Sequence, residues 1–138
     1  MPSVQKSIRF KENVFREIEQ IARESGEEFS AVANELLDEA VRTYRCPGIV
    51  FSEGTAGRRA RIAGTGLEVW EVVAAYKSVG EEFKRLSKTY HWLTEQQLMA
   101  AVGYYKAYPE DIDPLISQNE GLTEESVNKK YPFLRGRG

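Results

Sequence analysis

A chain of 138 residues, 41% hydrophobic and 29% charged, has the length and balance of one ordinary folded domain or two very small ones. A net charge of −2 excludes a polycation, and a single cysteine, Cys46, excludes an internal disulfide and suits a reducing compartment. No apolar run of roughly 18 residues is present, and no apolar leader core opens the chain, so the sequence predicts a cytoplasmic protein that spans no membrane.

Residues 3–10, SVQKSIRF, alternate as a strand does. Gln5, Ser7 and Arg9 fall on one face, and Val4, Ile8 and Phe10 on the other, with Lys6 interrupting. The first sixteen residues hold Lys6, Arg9, Lys11 and Arg16 against Glu12 alone. After Phe10 the period becomes helical. Val14, Ile18, Ile21 and Ala22 mark one helix, which Gly26 stops. Ser30 is the expected N-cap of a second, with a stripe of Ala33, Leu36, Leu37, Ala40, Val41 and Tyr44 that Pro47 and Gly48 terminate.

Strand, helix, helix over residues 1–45 is too little chain to bury a core alone. A homodimer supplies what is missing. Two copies of Ser3–Phe10 pair antiparallel, and four helices cover the inner face through Ile8, Phe10, Ile18, Leu36 and Leu37. The outer face then presents Gln5, Ser7 and Arg9 twice. A two-stranded ribbon fits the DNA major groove, where arginine reads guanine, glutamine reads adenine and serine serves either. The start of the second helix, near Ser30, offers amides to a phosphate.

Residues 3–45 thus resemble the ribbon-helix-helix DNA-binding module of small repressors and antitoxins. That resemblance assigns base contacts to Gln5, Ser7 and Arg9 and a phosphate contact to the Ser30 region. The chain departs from the usual pattern at Lys6, at Lys11 in the helix-cap position, and at Glu27 and Glu28 between the helices.

Residues 46–116 read as a second domain. Ile49–Phe51 and Ala60–Ile62 predict a hairpin turning over Glu53–Gly57. Gly64 and Gly66 flank Thr65 ahead of a helix, but no lysine follows as a phosphate-binding loop requires. Helices are expected at Val69–Tyr76, with Trp70 and Val73 inward, and at Glu82–Lys88. A third follows Thr94, which makes a capping box with Gln97 and carries Leu98, Ala101, Val102 and Tyr105 inward. A last helix is expected around Asp111–Ile116. The fold class is therefore mainly α: a ribbon-helix-helix followed by a small hairpin and a helix-turn-helix-like trihelical body.

The stretch from Gly48 to Asp113 also resembles a small bacterial family with a glycine-rich hairpin, a Gly-Thr-Arg-Ile-Pro-Val-Trp type motif and a trihelical body. Here the motif reads Gly64, Thr65, Gly66, Leu67, Glu68, Val69, Trp70. Members include VapB-like antitoxins encoded beside PIN-like ribonuclease toxins. That resemblance implies a type II antitoxin that neutralises such a toxin and represses its own operon at operator DNA.

Residues 117–138 form a polar tail ending in Tyr131, Phe133, Leu134, Arg135 and Arg137. Aromatic anchors beside arginines suit a toxin-binding segment. An arginine reaching the carboxylate cluster that holds a PIN-type ribonuclease's magnesium would pair with those carboxylates. His91 stands alone, so no zinc set is expected. No nucleophile, base and orienter coincide, so neither a catalytic residue nor a cofactor is expected. The rival is a stand-alone repressor whose second domain mediates assembly or senses a ligand.

Overall fold

The computed structural model describes residues 3–54 and 57–121. It divides into two compact units, Met1–Arg42 and Thr43–Gly138. The described fold is mainly helical, with six helices and one two-stranded antiparallel hairpin.

The first unit holds helix α1, Glu12–Ser25, and most of helix α2, Phe29–Arg45. Lys11 starts α1 in extended backbone without a side-chain cap. Gly26 closes the helix at φ 70, a left-handed conformation that a side chain would strain, and its amide bonds back to Ala22. The sequence placed the second N-cap at Ser30. Instead α2 begins at Phe29, and the Val32 amide donates to the Glu28 carbonyl at 3.1 Å. Ser30 lies inside the first turn, its carbonyl accepting from Asn34 Nδ2 at 2.8 Å. Aromatic packing accounts for the earlier start: Phe29 meets Phe10 and Phe15, with ring centroids 5.7 and 5.1 Å away.

Among the described residues, the buried core of this unit is Ile18, Ala22, Val32 and Ala33, with Phe10, Phe29 and Leu36 packed around it. Leu37 and Val41 of the expected stripe stay half exposed, and Val32, outside that stripe, is buried. Residues 3–10 form neither helix nor strand in the single chain.

The second unit begins with strands β1, Ile49–Gly54, and β2, Gly57–Ile62. They pair from Ile49 opposite Ile62 to Gly54 opposite Gly57, so both are longer than the sequence suggested. Helices α3, Val69–Ser78, α4, Phe83–Thr89, α5, Glu95–Ala107, and α6, Pro109–Gly121, follow. The body thus has four helices, the last running further than Asp111–Ile116 in both directions. Tyr108 alone separates α5 from α6. Pro109 explains the break, because proline forces its predecessor out of the helical region and is itself favoured at a first helical position.

The core of this unit is continuous. Ile49 and Ile62 from the hairpin meet Val69, Val72 and Val73 of α3, Leu86 of α4, Leu98 and Tyr104 of α5 and Ile112 of α6, all essentially inaccessible. Each such aliphatic side chain contributes roughly 1.5–3 kcal/mol on burial. Tyr104, rather than Tyr105, points into this core.

Candidate functional site

The candidate DNA-reading segment is short and anchored at one end. Phe10 is half buried and touches both Phe15 and Phe29 by edge or tilted ring contacts. From that anchor back to Ser3 every residue is exposed, including Gln5, Ser7 and Arg9. So are the residues of the opposite face: Val4 is 90% and Ile8 56% accessible. Ser30 follows Phe29 directly, which brings the first turn of α2 to the same corner as the end of the segment. That turn contains no acidic residue, although Glu27 and Glu28 precede it.

The proposed toxin-binding residues Tyr131, Phe133, Leu134, Arg135 and Arg137 lie outside the described residues.

In the second unit, the hairpin and the following turn form a charged cluster that sequence reading did not single out. Arg59 Nε stands 3.4 Å from Glu68 Oε1, both side chains being mostly buried. Arg61 Nη1 donates to the Gly66 carbonyl at 2.8 Å, while its Nε is buried without a hydrogen-bond partner among the described residues. Thr65 Oγ1 donates to the Ile62 carbonyl and accepts from the Leu67 amide, closing the turn. Gly66 sits at φ 75, a conformation that glycine takes without strain. The Glu68 amide donates to Glu71 Oε2 at 3.1 Å, which fixes the start of α3. Alternation in GRRARI and the glycines of the motif were the available signals for this cluster.

A groove of about 650 Å³ lies between the Pro47–Gly48 turn and the first half of α5, bordered by Ala63, Thr94, Met99 and Ala100. Gly48 has φ 93, and a Cβ there would meet Ala100 Cβ at 3.4 Å. Thr94 Oγ1 accepts from the Gln97 amide, and Gln97 Oε1 accepts from the Thr94 amide, as the capping box required.

Two ionisable clusters remain. Tyr105 donates to Asp113 Oδ1 at 2.7 Å, and Lys77 Nζ lies 3.4 Å from the same oxygen and 4.9 Å from the Tyr105 ring. The Tyr105 hydroxyl, then Lys77, hold the Asp113 carboxyl below its ordinary value, and Lys77 is raised, first by Tyr105. Tyr90 is raised by burial and by the charge of Glu71. Among the described residues no group of carboxylates, histidines and cysteines is placed to hold a metal. Among them also, no helix is long and apolar enough to cross a membrane.

The second unit is thus a hairpin laid on a four-helix body, with a charged turn where strand passes into helix. Residues 49–105, which span the hairpin and helices α3 to α5, match the model of a family described as protein of unknown function (DUF433). No match was found among curated proteins or among solved structures.

Proposed function

We propose that the chain is a homodimeric, operator-binding antitoxin of a type II system, acting in the cytoplasm against a PIN-like ribonuclease. The observation that carries the dimer is the apolar surface of the first unit. Beside Val4 and Ile8, Val14, Phe15, Ile21, Leu37 and Val41 are exposed in the single chain, around a core of four residues. An apolar surface this concentrated calls for a partner. A second copy covers it, pairs residues 3–10 into a ribbon and turns Gln5, Ser7 and Arg9 outward together. Those three side chains then read base edges, and the start of α2 near Ser30 meets a phosphate.

The antitoxin half of the reading rests on the resemblance of residues 48–113 to a family that includes VapB-like antitoxins, and on the aromatic and arginine residues of the tail. In it, Tyr131, Phe133 and Leu134 anchor the tail on the toxin, and Arg135 or Arg137 pairs with its metal-binding carboxylates. Joining toxin and operator in one assembly tightens repression by raising effective concentration. The groove beside α5 favours a second reading, a stand-alone repressor that senses a small ligand.

One experiment separates them. The tagged full chain and a chain ending at Gly121 are recovered from the native host, and retained proteins are identified. A ribonuclease of the PIN type on the full chain, lost from the shorter one, is the expected result. Its absence from both removes the antitoxin reading and leaves the repressor. In parallel, Arg9→Ala weakens operator binding by about 1–3 kcal/mol if Arg9 reads a base.

A further inference from the structure

The solvent face of α4 and the turn after it combine two features that the proposed function does not use. Helix α4 is held by Leu86, fully buried, and by Phe83, half buried. Lys84, Arg85 and Lys88 lie on the opposite face, the two lysines one turn apart. Arg85 pairs with Glu82 at 3.2 Å. Neither lysine has a carboxylate partner among the described residues, and residues 83–94 contain no acidic group. Glu81, Glu82 and Glu95 flank the stretch and bound the positive surface at either end.

The turn that follows is Tyr90, His91, Trp92. Trp92 is 62% accessible, the most exposed large apolar side chain described in the second unit outside α2. Its ring is flanked, and the backbone on either side of it is held. Tyr90 and His91 meet it edge to face, with ring centroids 5.3 and 5.2 Å away. On one side the Tyr90 amide bonds to the Leu86 carbonyl; on the other, the Leu93 amide bonds to the Tyr90 carbonyl and Leu93 is buried. An indole held open at low entropy cost is ready to take a flat partner.

From this geometry we infer that the α4 face and the Tyr90–Trp92 turn bind single-stranded nucleic acid, the lysines meeting phosphates and Trp92 stacking on an unpaired base. Sequence-tolerant single-strand sites combine these elements, cations along the backbone path and an aromatic platform. A duplex offers the phosphates but keeps its bases stacked inside, so the exposed indole gives the single strand the advantage. The acidic flanks keep the contact short, and because few phosphates are neutralised its salt dependence is shallow.

The test uses the full chain and a fluorescent oligouridine of about 12 nucleotides, within the span such sites cover. A duplex of equal length without operator sequence is the competitor. Anisotropy is followed between about 50 and 200 mM salt. Trp92→Ala is expected to weaken binding about tenfold with an unchanged circular dichroism spectrum, while Trp92→Phe keeps most of the affinity. Lys84→Ala with Lys88→Ala weakens binding and flattens its salt dependence. Arg9→Ala leaves oligouridine binding unchanged, so failure of the ribbon reading and failure of this one are distinguishable. Equal affinity of the wild type and Trp92→Ala, or a duplex that competes as well as the single strand, overturns the inference.

Discussion

The Tyr104 hydroxyl donates to Asp111 Oδ2 at 2.6 Å, joining a fully buried tyrosine of α5 to the first turn of α6. The bond crosses the one-residue joint at Tyr108, and the Tyr104 ring also packs on Tyr108 and on Phe51 of the hairpin. One side chain therefore ties the last two helices to each other and to the strands. Tyr104→Phe keeps the packing and removes the bond. It should cost about 1–2 kcal/mol in urea unfolding, and Tyr104→Ala more, because a cavity is added.

The proposed dimer would place Leu37 at a contact between copies. Leu37→Glu leaves a half-exposed position in the single chain but puts a charge into that contact. Sedimentation should show the dimer dissociating about 30-fold more readily or worse, matching the roughly 2 kcal/mol of an apolar anchor. Unchanged association would remove the proposed partner from this face.

Thr94 closes α5 through a reciprocal pair of bonds with Gln97. Thr94→Ala should lower stability by about 1 kcal/mol, whereas Thr94→Ser should be close to neutral. Both are read from chemical denaturation midpoints.

The Lys77, Tyr105 and Asp113 cluster predicts how stability changes at the extremes of pH. Asp113 is lowered from 3.8 in the folded chain, so its contribution is complete above that value and is lost as pH falls through the lower folded value. Lys77 is raised from 10.5, so its contribution is complete below that value and is lost as pH rises through the higher one. The groups are solvent-facing and the effect is small. Asp113→Asn should flatten both limbs, because it removes the lowered carboxyl and one support of the lysine. Denaturation midpoints across the acid and alkaline ranges check it.

Local chemistry made much of the second unit legible. The Thr94–Gln97 box and the spacing of Leu98, Ala101 and Val102 are properties of a few adjacent residues, and α5 starts and faces as they indicate. Choosing between Tyr104 and Tyr105 required the neighbours, since both fit an inward stripe and only the packing of Phe51 and α6 decides. Ser30 illustrates the same limit. It has good capping chemistry, but the rings of Phe10 and Phe15 draw Phe29 into the helix ahead of it. Alternation over Gln5, Ser7 and Arg9 is plain in the sequence, yet its meaning depends on a second copy, which no intrachain pattern specifies. The Trp92 surface has no signature in the sequence, because exposure, unlike periodicity, is settled by the whole fold.

The four-residue core of the first unit has a consequence for how long each copy lasts. In the proposed dimer, pairing and folding of residues 3–42 are one equilibrium, so dilution loosens this unit while the larger core of the second holds. A solitary copy would then be cut first near its beginning, which would remove the proposed DNA-reading segment and leave the remainder intact.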